Sequence, residues 1–241
     1  MKVILLAAGR GRRFGRRTAT LPKCLIPLGR GRNLLTRYLD SFRKLGLRDI
    51  AVVVGHQKEK IVEACVENGR DLSIKFLVNP EYRQGSLVSL FAACGELDRD
   101  CLIMDADVWF RTGALAKLLR AKKSAFLLDP RSKSSGEEMM VMARDTRLAC
   151  ISKRVDAPAS PAGGRLRTVG EAVGFLKLKK NDARLLAKIL EKMVRQGKTH
   201  LEYEESFNEL MKRRRLGYEK ITGFWREMDF EEDLAVIRSS Q

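Results

Sequence analysis

The residues best placed to do chemistry lie in the first two dozen positions of the 241-residue chain. Residues 3–6 form an apolar run suited to a strand buried on both faces, and Ala7, Ala8, Gly9 and Gly11 follow. Small residues here let backbone N–H groups point into a concave loop. The loop is surrounded by five arginines: Arg10, Arg12, Arg13, Arg16 and Arg17. Backbone donors ringed by guanidinium groups indicate a polyphosphate ligand, and a basic surface turn is the alternative interpretation.

Neither of the two common phosphate-binding loops matches this stretch. A P-loop requires Lys-Ser or Lys-Thr directly after its last glycine, and no such pair occurs here. The dinucleotide pattern G-x-G-x-x-G fails as well, because Phe14 stands where the third glycine belongs.

Two carboxylates follow the apolar run at residues 101–104, in the tripeptide Asp105-Ala106-Asp107. Acids at the tip of a buried strand are unfavourable unless they are solvated, paired or bound to metal. One interpretation is a turn with exposed acids. The other is a Mg²⁺ site, because Mg²⁺ takes few carboxylates and keeps water and phosphate oxygens as its remaining ligands.

Two motifs together resemble a known family. L-A-A-G-R-G-R-R at residues 6–13 and L-P-K-C-L-I-P-L at residues 21–28 resemble the signature of sugar-phosphate-type nucleotidyltransferases, L-A-A-G-x-G-x-R followed by P-K-x-L-x-P. The resemblance implies a GT-A-like fold and transfer of a nucleotidyl group from a nucleoside triphosphate to a phosphorylated acceptor, with release of pyrophosphate. The H-x-G-H pair of the other large nucleotidyltransferase class does not occur in the sequence.

The resemblance also assigns roles to individual residues. Arg13, Lys23 and Asp107 would be catalytic, and Asp107, Asp229 and Glu227 would hold Mg²⁺. The nucleotide would be bound by Leu6, Ala7, Ala8, Gly9, Gly11, Arg13, Gln84, Gly85, Ser86 and Asp105. For Asp229 and Ser86 the alternative is a helix N-cap. An acceptor phosphate is already ionised at pH 7 and needs no general base, which agrees with His56 and His200 being surface residues.

The acceptor is predicted from weaker similarities. R-Q-G-S-L-V-S-L at residues 83–90, D-A-D-V-W-F at 105–110 and Y-E-E-S-F-N-E-L at 203–210 resemble cytidylyltransferases that activate phosphocholine. CTP and a small phospho-alcohol are therefore the expected substrates. The residues that bind the acceptor would be Trp109, Lys153, Glu171, Tyr203 and Glu204. A 2-aminoethylphosphonate, inositol-phosphate or sugar-1-phosphate nucleotidyltransferase is the alternative.

The elements that must position these residues alternate strand and helix along residues 1–130, which predicts right-handed crossovers and a parallel sheet. Residues 139–143 and 148–153 alternate like an antiparallel insert, and residues 157–164 indicate a loop. We expect one α/β domain over residues 1–241, with a nucleotide-binding half (1–130) and an acceptor-binding half (131–241). The resemblance implies a three-layer α/β/α sandwich with a mixed, mostly parallel sheet and a Rossmann-like N-terminal half.

Composition bounds the remaining possibilities. The net charge of +17 favours anionic partners, so a nucleic-acid-binding protein is a rival of another class. The basic residues are spread along the chain and aromatic residues make up only 7%, which disfavours nucleic acid. Five scattered cysteines without a C-x-x-C pair indicate reduced core residues. No apolar run reaches roughly 18 residues, so we expect a cytoplasmic protein without membrane insertion.

Overall fold

The computed structural model describes residues 1–154 and 166–240, so the loop predicted at 157–164 lies outside the described residues. Within that part of the chain, the main sheet has the strand order β10-β6-β9-β4-β1-β2-β3, and the β7–β8 hairpin joins it through β9. Apolar side chains cover both faces of the sheet. Leu5 belongs to the cluster beneath helices α1, α2, α4 and α7, whereas Ile4 belongs to the cluster beneath α3, α5 and α6. The predicted three-layer α/β/α sandwich is confirmed.

The N-terminal half is Rossmann-like, as expected, because its first four strands pair in parallel. Asn33 caps α1, accepting the Thr36 N–H at 2.9 Å while the Thr36 hydroxyl accepts the Asn33 N–H at 3.1 Å. The helix that begins at Ser86 ends at Phe91, and Gly95 lies in a separate 3-10 turn. The elements are β1 (Lys2–Ala7), α1 (Leu34–Lys44), β2 (Asp49–Val54), α2 (Lys58–Asn68), β3 (Ser73–Val78), α3 (Ser86–Phe91) and β4 (Cys101–Asp105).

The second half makes the sheet mixed. Strand β9 runs antiparallel to both β4 and β6, and β7 with β8 forms the predicted antiparallel insert. The elements are β5 (Val108–Phe110), α4 (Thr112–Arg120), β6 (Ala125–Asp129), β7 (Met140–Arg144), β8 (Arg147–Ser152), β9 (Arg167–Leu178), α5 (Lys180–Arg195), α6 (Glu204–Arg213), β10 (Gly217–Lys220), β11 (Trp225–Glu227) and α7 (Glu231–Ser239).

The two-stranded ribbon formed by β5 and β11 has no counterpart in the prediction. Both strands are three residues long, too short to show an alternating pattern. The Met228 N–H donates to the Asp107 carbonyl at 2.9 Å and extends the pairing. This ribbon therefore brings Asp107 and Asp229, which lie far apart in the sequence, to the same place.

None of the helices in the described part of the chain is both long enough and apolar enough to cross a bilayer.

Candidate active site

A pocket of about 420 Å³ opens at the carboxyl ends of β1 and β4, where an open α/β sheet binds its ligands. It is lined by all ten residues predicted to bind the nucleotide: Leu6, Ala7, Ala8, Gly9, Gly11, Arg13, Gln84, Gly85, Ser86 and Asp105. Lys23, Asp107, Glu227 and Asp229 line it as well. Residues from both halves of the chain therefore meet at one cavity.

The loop after β1 depends on a glycine with left-handed backbone. Gly11 has φ +60°, and a Cβ there would lie 3.1 Å from Thr18 Cγ2 and 3.3 Å from Lys23 Cε. The Thr18 hydroxyl donates to the Gly11 carbonyl at 2.9 Å, and the buried Phe14 ring anchors the following 3-10 turn. A side chain at position 11 would thus crowd the side chains of Thr18 and Lys23.

Lys23 joins the two predicted metal ligands. Its Nζ lies 2.8 Å from Asp107 Oδ2 and 2.8 Å from Asp229 Oδ1, and Arg13 Nη2 lies 2.8 Å from Asp229 Oδ2. The side chains of Lys23 and Asp229 are only 12% and 13% exposed. Desolvation lowers the pKa of Lys23, but the attraction of Asp107 and Asp229 outweighs it, so that the pKa is raised overall. The ammonium group is therefore held charged between the acids.

The helix-cap alternative for Asp229 is wrong. Helix α7 begins at Glu231, and Asp233 Oδ2 accepts the N–H groups of Asp229 at 2.8 Å and Phe230 at 2.7 Å. Asp233 therefore satisfies the free donors at the start of the helix. The Asp229 carboxylate is left to face the pocket.

The donor set at this place fits a hard divalent cation. One carboxylate oxygen each from Asp107, Glu227 and Asp229 lies within 4.8 Å of the other two. Desolvation in the pocket raises the pKa of Glu227, and the negative charges of Asp107 and Asp229 raise it further. Three converging carboxylates suit Mg²⁺ chemically, and Lys23 now supplies the positive charge that they require. Mg²⁺ binding itself stays a prediction.

Asp105 lines the pocket, but its carboxylate is already engaged. The Tyr203 hydroxyl donates to Asp105 Oδ2 at 2.5 Å, and a Cβ at Gly174, where φ is +78°, would lie 2.4 Å from the same oxygen. Burial raises the pKa of Asp105, and the adjacent charge of Asp107 adds to the shift. These contacts make Asp105 a support for Tyr203.

The loop at Gln84 and Gly85 packs against the turn before α6. A Cβ at Gly85 would lie 2.1 Å from the Leu201 carbonyl oxygen, so this close approach requires glycine. The Ser86 hydroxyl donates to Glu202 and accepts the Tyr203 N–H at 2.9 Å. Ser86 therefore does not cap α3 with its side chain, and Gly85 occupies the N-cap position.

Three of the five predicted acceptor residues line the pocket, namely Lys153, Tyr203 and Glu204. Glu204 Oε2 is buried and has no hydrogen-bond partner among residues 1–154 and 166–240, and burial raises the pKa of Glu204 to about 8. A buried acceptor without a partner is unfavourable, which makes Glu204 a ready binding group for a ligand donor or cation.

Trp109 and Glu171 are not placed with the other three, since neither is among the described residues that line this pocket. Trp109 is only 3% exposed and packs edge-on against Phe224 at 5.1 Å. Glu171 lies just before the stretch 172–176 of β9 that lines the pocket, and it pairs with Asp129 in the sheet.

Two residues that were not predicted from the sequence also shape the site. Glu137 Oε2 lies 3.3 Å from Arg13 Nη1 and 3.5 Å from Lys153 Nζ across the pocket. The Tyr38 hydroxyl donates to the carbonyls of Asp105 at 2.6 Å and Val108 at 2.9 Å, and so fixes the tip of β4. The inward spacing of Tyr38 on its helix was visible in the sequence, whereas no pattern pointed to Glu137.

The chain is similar in sequence to known proteins. CMP-5'-(3-aminopropyl)phosphonate synthase from Streptomyces rubellomurinus is 30% identical over 126 residues, which are 52% of this chain and 20% of that protein. The chain thus spans about a fifth of that relative's length.

Two solved structures share the fold. CTP:phosphocholine cytidylyltransferase from Streptococcus pneumoniae superposes with a TM-score of 0.75 at 20% identity, over 99% of this chain and 97% of that one. The inositol-1-phosphate CTP transferase from T. maritima has a TM-score of 0.77 at 18% identity, with 99% of this chain covered and 95% of that one.

The family assignment follows from a third comparison, which covers more than half of the chain. The profile of the MobA-like NTP transferase domain matches residues 3–173, from the first strand to the middle of β9. This span contains the glycine and arginine loop, Lys23 and Asp107. The chain belongs to the family of MobA-like NTP transferase domains.

Proposed function

We propose that this protein is a Mg²⁺-dependent nucleotidyltransferase that moves CMP from CTP to a small phosphorylated alcohol of the phosphocholine type and releases pyrophosphate. The observation that carries the proposal is the meeting of Asp107 and Asp229 beside the arginine-ringed loop, with Lys23 bonded to both at 2.8 Å. Family membership supports the reaction class, and the cytidylyl-transferring proteins among the relatives support CTP.

The reaction joins two anions. A phosphate oxygen of the acceptor forms a bond to the α-phosphorus of CTP, and the bond from that phosphorus to the bridging oxygen of the β-phosphate breaks. The electron pair leaves with pyrophosphate. Because the attacking oxygen is already ionised, the protein's task is to neutralise charge and to align the reactants. Arg13 would contact the β- and γ-phosphates, and Lys23 the α-phosphate or the acceptor phosphate.

Lys23 has two roles in this proposal. In the structure described here its ammonium neutralises Asp107 and Asp229. These carboxylates would hold Mg²⁺, which would supply positive charge to the triphosphate, and the Lys23 ammonium would then contact a phosphate oxygen. The flexible four-carbon stem of lysine makes such a short movement possible.

The acceptor end of the pocket suits a cation. Glu204 Oε2 lacks a hydrogen-bond partner among the described residues, and Tyr203 lines the pocket at the preceding position. Burial raises the pKa of Glu204, so a bound ammonium group would favour its ionised form, and an aromatic ring adds attraction through its negative face. This pairing favours phosphocholine or 2-aminoethylphosphonate over the uncharged head groups of inositol phosphate and sugar 1-phosphate, which remain the rivals.

An acceptor panel tests the proposal. The protein, CTP and Mg²⁺ are incubated with phosphocholine, 2-aminoethylphosphonate, inositol 1-phosphate or glucose 1-phosphate, and pyrophosphate release is measured. We expect release with a cationic acceptor, loss of release on addition of EDTA, and loss in Asp107→Asn. Turnover with an uncharged acceptor alone would refute the acceptor assignment. The absence of pyrophosphate with every pairing of nucleotide and acceptor would refute the enzyme assignment and favour the nucleic-acid-binding rival.

A further inference from the structure

A second cavity, of about 520 Å³, lies away from the active-site pocket. Its lining residues are Arg30, Arg32, Arg37, Trp109, Arg111 and Ser240, and none of them lines the first pocket. Among residues 1–154 and 166–240, no acidic side chain contributes to its wall. Four guanidinium groups around one concavity form a strongly positive site.

The arginines of this cavity lack ion-pair partners in the described part of the chain, although the more distant Asp40 attracts Arg37. None of the four forms an ion pair within 4.0 Å in the part of the chain that the structure describes. Burial lowers the pKa of Arg37, and the positive charge of Arg32 lowers it further. Mutual repulsion of this kind is relieved by a bound anion.

Trp109 supplies an independent sign of a missing ligand. The residue is 3% exposed, and its indole Nε1 is buried without a hydrogen-bond partner among the residues that the structure describes. The Arg37 guanidinium stacks over the ring at 4.6 Å from its centroid. A buried N–H without an acceptor is unfavourable, and an anionic oxygen bound beside Trp109 would supply one.

We propose that this arginine-lined cavity binds a phosphate anion carrying several charges, such as pyrophosphate or the triphosphate of a nucleotide. Planar guanidinium forks match phosphate oxygens in pairs, and four positive charges suit a diphosphate or triphosphate better than a single carboxylate. The proposal does not depend on the reaction assigned to the first pocket. The two pockets share the β5–β11 ribbon, since Asp107 precedes β5 and Trp109 lies within it.

Calorimetric titration with pyrophosphate tests the proposal. The key variant is Arg30→Gln with Arg32→Gln, because both residues are exposed and their loss should not unfold the protein. The control, Lys188→Gln with Lys192→Gln on the exposed side of α5, removes the same charge elsewhere. We expect the arginine variant to lose one binding event, or to bind at that site about 10-fold more weakly or worse, while the control binds as the wild type does.

Two further readouts identify the ligand and the place. The Trp109 indole N–H signal in a ¹⁵N spectrum should shift with pyrophosphate and stay in place with cytidine, which has no phosphate; the variant Trp225→Phe assigns the signal. An arginine variant that binds pyrophosphate like the control, or an unmoved Trp109 signal at saturation, overturns the proposal. Binding of a single-stranded oligonucleotide that depends on Arg30 and Arg32, without pyrophosphate binding, would identify a nucleic-acid contact and also overturn it.

Discussion

Replacing Lys23 by methionine should destabilise the protein when no divalent cation is present. The ammonium of Lys23 lies 2.8 Å from both Asp107 and Asp229, and its loss leaves two carboxylates facing each other in a partly desolvated pocket. Removing one partner from a buried ion pair costs about 3–5 kcal/mol. Asp107 is 27% exposed and Asp229 keeps Arg13, so we expect the lower end of this range.

Thermal unfolding measures the effect directly. For a chain of this length each kcal/mol shifts Tm by about 2–4 °C, which gives a fall of roughly 6–12 °C in EDTA. Mg²⁺ at about 100 times its Kd adds about 2.7 kcal/mol and should restore most of the loss. The rise in Tm caused by Mg²⁺ should be larger in Lys23→Met than in the wild type, because the cation no longer competes with the ammonium.

The matched control is Lys58→Met, which removes an exposed lysine whose nearest acid, Glu59, lies 4.0 Å away. Exposed pairs contribute about 0–1 kcal/mol, so this variant should unfold within about 2–4 °C of the wild type and respond equally to Mg²⁺. Equal Tm values for Lys23→Met and the control in EDTA would contradict the stabilising role of Lys23. An equal rise in Tm of both variants with Mg²⁺ would contradict it as well.

Three further outcomes are expected. Gly174→Ala should unfold at lower urea concentration than Gly197→Ala: both have positive φ, but only the first Cβ meets a neighbouring carboxylate, at 2.4 Å, and equal midpoints would refute that contact. Burial raises the pKa of Glu204 from 4.5 to about 8, so its ionisation opposes folding as pH rises through that window. Glu204→Gln should therefore raise Tm at pH 8 and leave it unchanged at pH 4.5; a rise of equal size at both pH values would contradict the shift. Arg13→Gln should lower kcat about 10²-fold while Arg17→Gln, outside the pocket, does not; equal losses would remove the special role of Arg13.

The parallel half of the fold was predictable because its signals are local. Apolar runs at residues 3–6 and 101–104 predicted β1 and β4, and the alternation of strand and helix over residues 1–130 predicted the parallel sheet. Glycines and small residues likewise marked the loop that lines the pocket. In these places the residue types favour the local conformation directly, so the sequence alone predicted the structure.

The parts that were missed depend on distant partners. Strands β5 and β11 are defined only by their pairing with each other, and Asp233 rather than Asp229 caps α7 because the ribbon turns Asp229 toward Lys23. Trp109 illustrates the same limit. Its aromatic type suited a cation site, but its side chain is only 3% exposed and lines the second cavity, not the pocket that Asp107 lines.

Anomalous diffraction from crystals grown with Mn²⁺ and a non-hydrolysable CTP analogue shows whether Asp107 and Asp229 share a divalent cation. We expect one manganese peak between the carboxylates of Asp107 and Asp229, coordinated by a phosphate oxygen, with the Lys23 ammonium moved away from both acids. A nucleotide bound in the pocket while Lys23 still bridges Asp107 and Asp229, with manganese elsewhere or absent, would contradict it.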